Sequence, residues 1–325
     1  MSRPRIFISQ WLPPEVVAHA RQRVDVDYRD ADEPMPPSEL ARRLAGAAGL
    51  VCLGSDRIDA EVLAVPGLKV VANVAVGYNN IDVAAATARG VVVTNTPGVL
   101  DETTADLAFG LMLAVARRIV ETDRFVRSGA WRSWKFFEWL GADVHGKTLG
   151  IVGLGRIGRA VARRARAFGM TILYTQRRRA EPAVEAELAA RYVDKATLLA
   201  SADFVTLHCP LTPETTHYID AEALARMKPT AFLINTSRGP VVDERALVAA
   251  LRAGRLAGAA LDVFEREPAV EAELLTLPTV VLTPHIGSGS TETRTRMARL
   301  AVDNCVAVVT GGRPLTPVNP EVLAA

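Results

Sequence analysis

Three side chains suited to acid–base or anion-binding chemistry follow apolar runs in the second half of the chain. Arg238 follows AFLINTS, Glu267 lies just beyond AALDVF, and His285 follows VVLTP. A histidine can donate a proton near neutral pH, a carboxylate can orient its imidazole, and a guanidinium can grip a carboxylate while polarising a carbonyl. Together they would suit ketone reduction, because hydride addition creates an alkoxide that needs a proton. The alternative for a lone histidine at a strand end is a polar residue that starts a loop.

A glycine-rich segment predicts a bound dinucleotide. Gly153, Gly155 and Gly158 have the G-x-G-x-x-G spacing, and they close an apolar strand and open a helix. The first glycine permits a tight turn, the second lets the backbone approach a pyrophosphate, and the third lets the helix pack on the strand. The amides of Arg156 and Ile157 would then face the anion. The alternative is a purely structural glycine turn.

The residues after the next strand predict which dinucleotide is preferred. Gln176, 23 residues after Gly153, occupies the position at which NAD-preferring folds carry an acidic residue. No carboxylate is expected there to repel a 2′-phosphate, and Arg177 and Arg178 follow at once. We therefore expect NADPH to be preferred, with NADH as the weaker cofactor. Arg179 is interpreted as a solvated surface residue.

Strand-like runs alternate with helical stretches, which is typical of α/β folds with parallel sheets. We predict two doubly wound parallel-sheet domains, a flavodoxin-like substrate domain and a Rossmann cofactor domain. The first series of runs lies at 5–9, 49–54, 69–74 and 90–98, and the second at 148–155, 170–176, 202–210, 231–239, 257–264 and 279–287. Ligands of such sheets bind outside the carboxyl ends of the strands. Arg238, Asp262, Glu267, His285 and the glycine loop should therefore share one sheet edge.

The domain boundaries follow from these two series. We expect a discontinuous substrate-binding domain at 1–98 plus 288–325, and a dinucleotide-binding domain at 99–287. The stretch DETTADLAFGLMLAVARRIVETDRFVRSG predicts a long amphipathic helical region suited to a hinge or a subunit contact, within a dimerisation segment at about 101–145. The helix after the last strand could return to the first domain.

Composition excludes several classes of function. A formal charge of +2, spread over 325 residues, leaves no basic surface for nucleic acid or an anionic membrane. Cys52, Cys209 and Cys305 are odd in number and far apart, so they indicate neither a disulfide framework nor a metal site. The longest apolar helical run, 107–116, is too short to span a bilayer, and the N-terminus lacks a long apolar h-region. We expect a cytoplasmic protein.

The chain resembles the D-2-hydroxyacid dehydrogenases over nearly its whole length. The resemblance rests on VGYNNID, TTADLAFGLML, GLGRIG, HCPLTPET, MKPTAFLINTSRGPVVDE, LDVFEREP and TPHIGS. The family's arginine, glutamate and histidine match Arg238, Glu267 and His285, with the first two separated by the usual 29 residues. The resemblance implies reduction of a 2-keto acid to a D-2-hydroxy acid with a nicotinamide cofactor.

The resemblance also implies further contacts. Backbone amides of Val76 and Gly77 would take the substrate carboxylate, a task that suits a loop of amides, and Leu53, Trp139 and Arg238 would also touch the substrate. One departure is Asn79, which stands where many relatives have aspartate and lies outside those amides. The further cofactor contacts implied are Thr104, Cys209, Pro210, Thr215, Thr236, Ser237, Asp262, His285, Gly287 and Ser288.

Within this family the likeness is greatest to glyoxylate/hydroxypyruvate reductases, including those that reduce 2-keto-gluconate. It rests on GLVCLGSDRID and WRSWKFFEWLGADVHGKTLGIVG. The aromatic side chains of the second stretch are either core or interface hydrophobics, or Trp139 or a neighbour projects into a partner subunit's substrate cleft. Both interpretations predict a homodimer. The aromatic residues are Trp131, Trp134, Phe136, Phe137 and Trp139.

Three alternatives follow from the same resemblance. A phosphoglycerate-type dehydrogenase is one, although many of those carry a regulatory extension after the last helix and this chain stops at Ala325. Formate dehydrogenases typically have glutamine where Glu267 stands. A nucleotide-sensing binding protein on the same fold is the non-enzyme alternative, and the complete set of Arg238, Glu267 and His285 argues against it. Glyoxylate, hydroxypyruvate and 2-keto-gluconate all remain candidate substrates.

Overall fold

The computed structural model describes residues 3–324, which fold as two compact α/β units. The first unit ends at Leu100 and resumes at Gly289, and the second spans Asp101–Ser288. The pattern of strand runs predicts boundaries at 98 and 287, close to those that the structure has. The substrate and cofactor roles of the two units stay predictions.

The first unit is built on a five-stranded parallel sheet. Its strands are β1 (Arg5–Ile8), β2 (Asp25–Tyr28), β3 (Gly49–Leu53), β4 (Val70–Val74) and β5 (Val92–Thr94). The helices between them are α1 (Pro14–Arg21), α2 (Pro37–Arg43), α3 (Ala60–Leu63) and α4 (Val83–Ala88). The strand order β2-β1-β3-β4-β5 is that of flavodoxin-like sheets. The central strands β3 and β4 are predominantly apolar because helices cover both faces of such a sheet.

The second unit has a seven-stranded parallel sheet in the order β12-β11-β10-β9-β6-β7-β8. Its strands are β6 (Thr148–Val152), β7 (Thr171–Thr175), β8 (Ala190–Tyr192), β9 (Phe204–Leu207), β10 (Phe232–Asn235), β11 (Gly258–Leu261) and β12 (Val280–Leu282). Its helices are α5 (Asp101–Ala116), α6 (Ile119–Arg127), α7 (Arg156–Ala167), α8 (Pro182–Leu188), α9 (Lys195–Ser201), α10 (Ala221–Arg226) and α11 (Glu244–Arg252). This is the Rossmann order with one additional strand at the β11 edge. The predicted fold class is confirmed.

The predicted long helix between the two series is two helices. Helix α5 ends at Ala116 and α6 begins at Ile119, because Arg118 adopts a left-handed backbone with φ of 56°. A non-glycine residue in that region interrupts the helical hydrogen-bond pattern. The Arg118 side chain is held by Glu121, at 2.7 Å. Neither glycine nor proline marks this break, so the sequence pattern does not reveal it.

The last helix, α12 (Thr291–Val309), belongs to the first unit. It packs against β3 and β4, in agreement with the expected return of the chain to the first domain. Across residues 3–324 no helix combines the length and the apolar character needed to cross a bilayer.

Candidate active site

His285 and Glu267 form a hydrogen-bonded pair beyond the carboxyl ends of β12 and β11. His285 Nδ1 lies 2.8 Å from Glu267 Oε2, while Glu267 Oε1 accepts a 3.0 Å hydrogen bond from the amide of Phe264. The pair is accessible, since 49% of the His285 side chain and 35% of the Glu267 side chain are exposed. Because Nδ1 faces the carboxylate, Nε2 is the ring nitrogen left to exchange a proton with a ligand.

The charges around Glu267 favour its ionised form. Burial opposes ionisation, but the hydrogen bond and charge of His285, together with the Phe264 amide and the charge of Arg238, hold the pKa of this carboxyl below its ordinary value. Burial lowers the pKa of Arg238, and the charge of Glu267 opposes that shift. An arginine remains protonated in proteins. The site therefore holds an ionised Glu267 carboxylate that interacts electrostatically with the charged Arg238 guanidinium.

The backbone of His285 is held in an unusual conformation by Asp262. Its φ is 53°, in the left-handed region that non-glycine residues rarely adopt. The His285 amide donates to the Asp262 carbonyl at 2.8 Å, and Asp262 Oδ1 accepts from Thr283 Oγ1 at 2.6 Å and from the Ile286 amide at 2.8 Å. These bonds stabilise a strained conformation at a site of chemistry. Thr283 is a supporting residue that the sequence pattern does not predict.

The glycine loop has the geometry expected for a pyrophosphate. Gly153 has φ of 94°, and a Cβ there would lie 2.9 Å from backbone atoms that follow β9. A Cβ on Gly158 would lie 2.2 Å from the Gly153 carbonyl oxygen, so α7 packs directly on the loop. Gly155 precedes α7 and faces open space, and no side chain caps this helix. The first amides of α7, including those of Arg156 and Ile157, are thus left for an anion.

Buried polar atoms near His285 fit a nicotinamide carboxamide. Thr236 Oγ1 and Asp262 Oδ2 are buried without a hydrogen bond of ordinary geometry to any residue in 3–324. A Cβ on Gly287 would lie 3.3 Å from Asp262 Oδ2 and 3.4 Å from Thr104 Cγ2, so these implied cofactor residues are neighbours. Burial also raises the pKa of Asp262. Buried polar atoms generally have partners, and a carboxamide offers both N–H donors and a carbonyl acceptor.

The residues after β7 have no carboxylate at the expected ribose position. Gln176 uses its side chain locally: Oε1 accepts from an amide of the glycine loop at 2.8 Å, and Nε2 donates to the Arg178 carbonyl at 2.7 Å. Arg177 and Arg178 are exposed. Arg179 is also exposed and pairs with Glu185 at 2.8 Å, which agrees with a surface role.

One carboxylate near these arginines has no signature in the sequence. A hydrogen bond from Thr212 and, to a smaller extent, the charge of Arg177 lower the pKa of Glu214. Glu214 belongs to the loop after β9, whereas the acid of NAD-preferring folds follows β7. Its position in HCPLTPET carries no signal that it approaches Arg177.

Comparisons with known proteins decide the family. Residues 109–287 match the family model described as D-isomer specific 2-hydroxyacid dehydrogenase, NAD binding domain. The chain is 51% identical over 324 residues to a glyoxylate reductase of Korarchaeum cryptofilum, covering 99% of this chain and 97% of that protein. It is 49% identical over 329 residues to a glyoxylate reductase of Thermococcus litoralis, covering 99% of each. The chain belongs to the D-isomer specific 2-hydroxyacid dehydrogenase family.

A solved structure of this family has the same fold. The NADPH-dependent glyoxylate/hydroxypyruvate reductase of Sinorhizobium meliloti, in complex with NADP and malonate, superposes with a TM-score of 0.88 at 37% identity. The match covers 98% of this chain and 97% of that one. The two-unit architecture of this 2-hydroxyacid dehydrogenase is therefore shared over its full length.

Other positions assigned to the cofactor by family resemblance lie on the loops after β9 and β10. Thr215 Oγ1 donates to the Pro210 carbonyl at 2.7 Å, and Ser237 Oγ donates to Asn235 Oδ1, at the end of β10, at 2.9 Å. Burial raises the pKa of the Cys209 thiol to about 11. Ser288 is half-buried at the end of the second unit. The hydroxyls of Thr215 and Ser237 therefore stabilise their own loops, and the contribution of these residues to a cofactor stays a prediction.

The substrate contacts implied in the first unit lie at strand ends. Leu53 ends β3, and Val76 and Gly77 lie in the loop after β4, where both are partly exposed. No acceptor for the amides of Val76 and Gly77 is found within residues 3–324. These amides are consequently available to an anion.

The aromatic residues of 131–139 do not form a core cluster, so the core interpretation is wrong, whereas an interface role stays a prediction. Trp134, Phe136 and Phe137 are 73%, 69% and 79% exposed, and Trp131 is exposed as well. Trp139 instead packs on Phe125 of α6, with ring centroids 4.8 Å apart. Trp139 thus packs within its own unit, and a contact of Trp139 or a neighbour with a substrate stays a prediction.

Proposed function

We propose that this 2-hydroxyacid dehydrogenase reduces a small 2-keto acid, such as glyoxylate, hydroxypyruvate or 2-keto-gluconate, to the D-2-hydroxy acid. The observation that carries the proposal is the pair of His285 and Glu267, which places an oriented, accessible imidazole beside a carboxylate of lowered pKa. The glyoxylate reductase relatives support the substrate class.

The side chains divide the work of carbonyl reduction. A bound nicotinamide dinucleotide supplies the hydride for the carbonyl carbon. His285 gives the proton on Nε2 to the oxygen as it becomes an alkoxide, and Glu267 keeps the imidazole oriented and favours its charged form. Arg238 polarises the carbonyl, because a guanidinium offers several donors in one plane. The amides of Val76 and Gly77 hold the substrate carboxylate.

We infer that NADPH is preferred over NADH. Gln176 takes the place of an acid that would repel a 2′-phosphate, and its side chain is already bonded within the protein. Arg177 and Arg178 are exposed immediately after it. The solved Sinorhizobium meliloti relative, which is NADPH-dependent, supports this preference. Glu214 weakens it, because a negative charge near Arg177 competes with the phosphate.

We also propose that the protein is a homodimer that associates through the segment at about 101–145. The exposed side chains of Trp134, Phe136 and Phe137 support this assignment, since monomers rarely expose contiguous apolar surface of this kind. The same segment offers exposed Ile119 and Leu140.

A turnover panel tests the reaction. The protein is assayed with glyoxylate, hydroxypyruvate and 2-keto-gluconate, each with NADPH and NADH. His285→Ala should lower kcat by about two to four orders of magnitude, the usual contribution of a general acid, while cofactor affinity stays near that of the unmodified protein. His19→Ala is the matched control, because His19 also pairs with a carboxylate, that of Asp303 at 2.7 Å. Near-normal turnover by His285→Ala would end the proposed mechanism.

A further inference from the structure

The carbonyls of the loop after β4 are tied to buried or half-buried amide side chains. Asn95 Nδ2 donates to the Val76 carbonyl at 2.7 Å, and Asn73 Nδ2 donates to the Gly77 carbonyl at 3.0 Å. Both carbonyls belong to the residues proposed to hold the substrate carboxylate. The loop is therefore fixed by its acceptors, which leaves its donors for a ligand.

Peptide planarity converts these bonds into a direction for the N–H groups. In a trans peptide the carbonyl of one residue and the N–H of the next point in opposite directions. A hydrogen bond to the Val76 carbonyl thus fixes the direction of the Gly77 N–H bond. A hydrogen bond to the Gly77 carbonyl fixes the direction of the Tyr78 N–H bond in the same way. Each N–H points away from its asparagine. For Gly77 and Tyr78, no acceptor occurs within the described part of the chain, residues 3–324.

Asn95 is itself held in place by the C-terminal segment. The backbone N–H of Asn95 donates to the Thr316 carbonyl at 3.3 Å, and the backbone carbonyl of Asn95 accepts from Thr316 Oγ1 at 2.6 Å. Thr316 Oγ1 also accepts from Asn304 of α12 at 2.8 Å. The backbone of Asn95 is therefore held in place on both sides. Its side chain can consequently orient the Val76–Gly77 peptide before a ligand binds.

The orientation of the Ala75–Val76 peptide is fixed by a backbone hydrogen bond and not by a side chain. The Thr96 amide donates to the Ala75 carbonyl at 2.9 Å, which sets the Val76 N–H on the other end of that plane. One of the two proposed anion-binding amides is thus fixed by backbone alone. Loss of Asn95 should weaken the site without abolishing it.

We propose that Asn95 is a positioning residue for the substrate carboxylate, acting through the Val76–Gly77 peptide to direct the Gly77 N–H at the anion. The inference rests on the proposed function. A neutral amide suits this role, because it fixes the carbonyl without placing a charge beside the substrate. Without the Asn95 donor, the Val76 carbonyl is free to rotate, and the Gly77 N–H loses its direction.

The test measures binding of oxamate, a non-reacting 2-keto acid mimic, by calorimetry at saturating NADPH. Asn95→Ala and Asn95→Asp both remove the donor, and the second keeps the shape of the side chain. Each should weaken oxamate binding by about ten- to a hundredfold, the range for one hydrogen bond to a charged group, and should raise KM for glyoxylate more than it lowers kcat. Affinity for NADPH should not change.

Asn319→Ala is the matched control. Asn319 is a buried asparagine of the first unit that bonds the Val93 amide at 2.8 Å and the Val91 carbonyl at 2.9 Å, and it does not bond to the loop after β4. Unchanged oxamate binding in the Asn95 variants would overturn the proposal, as would an equal loss in Asn319→Ala. If the unmodified protein neither binds oxamate nor reduces any 2-keto acid, the proposed function is wrong. That outcome is seen without any variant, so it can be distinguished from failure of the Asn95 proposal.

Discussion

Glu267 carries a charge that its partly buried position disfavours. Burial raises the pKa of this carboxyl, but His285, the Phe264 amide and Arg238 together lower it further, so the ionised form is favoured in the folded chain relative to the unfolded chain. Its contribution to stability is therefore present above the ordinary pKa of a glutamate and is lost as the pH falls through the lowered value. At neutral pH the carboxylate stays charged beside the His285 ring.

Glu267→Gln should move the pH profile of keto acid reduction. The amide keeps the size of the side chain but not its charge, so the His285 ring loses its charged hydrogen-bond partner and the dependence of kcat/KM on pH should change. The loss of turnover should be smaller than in His285→Ala. Glu265→Gln is the matched control, since that carboxylate pairs with His217 instead. A profile identical to that of the unmodified protein would remove Glu267 from this role.

Arg177→Ala should raise KM for NADPH about tenfold or more and scarcely alter KM for NADH, because a hydrogen bond to a charged group contributes about 1.5 to 3 kcal/mol. Glu214→Gln should act in the opposite direction by removing a nearby negative charge. Arg179→Ala serves as the control, because Arg179 is paired with Glu185. Kinetics with both cofactors at two ionic strengths measure the effect, which salt should weaken. Equal or better use of NADH by the unmodified protein would contradict the phosphate assignment.

At the scale of elements, the segments that carry Arg238 and Glu267 touch through a glycine. A Cβ on Gly239 would lie 1.9 Å from the Phe264 carbonyl carbon, closer than any real contact. The backbone after β10 thus rests directly on the backbone after β11. This contact fixes the spacing of the two backbone segments from which Arg238 and Glu267 project.

Gly239→Ala should separate these two segments. We expect a loss of about 1 to 3 kcal/mol of unfolding free energy, as for other overpacked sites, with a loss of kcat that persists at temperatures where the variant is fully folded. Gly110→Ala is the control, because nothing lies within 4 Å of a Cβ at that helical position, and there alanine should be neutral or stabilising. Denaturant unfolding and turnover are measured together. A Gly239→Ala variant of unchanged stability and activity would refute the contact.

Strands with an apolar run are predictable from the sequence, including the edge strands β5 and β12, whereas β2 and β8 are not. The apolar runs of β3 and of residues 149–152 in β6 predict central strands directly. Strands β2 and β8 lie at the edges of their sheets and contain exposed or half-exposed polar residues, so neither has an apolar run to reveal it. The break at Arg118 also lacks a sequence signal, and in the structure its side chain contacts Glu121 and lies over the Trp139 ring.

At the scale of the whole molecule, topology explains which site residues can be predicted. Parallel strands bring their carboxyl ends to one edge, so the residues that follow β10, β11 and β12 can be grouped by sequence alone. Asn95 follows β5 and Glu214 lies in the loop after β9, but the strand ends alone do not assign their roles. Their roles depend on single contacts with segments far along the chain, and such contacts follow from tertiary packing and not from a periodic pattern.

The exposed aromatic segment makes a prediction about the assembly. Trp134, Phe136 and Phe137 lie on one short stretch of chain, and burying them against a second copy would remove a large apolar area from water. The unmodified protein should therefore sediment as a dimer. Phe137→Glu should shift the equilibrium towards the monomer, because a carboxylate in a desolvated interface lacks a partner.

Leu315→Glu is the control for this shift, since Leu315 is 73% exposed and belongs to the first unit, outside residues 101–145. It should sediment as the unmodified protein does. If the segment also supplies a side chain to the partner's substrate site, KM for glyoxylate in Phe137→Glu should fall towards the unmodified value as protein concentration restores the dimer. A monomeric unmodified protein with full activity would show that the aromatic segment has another role.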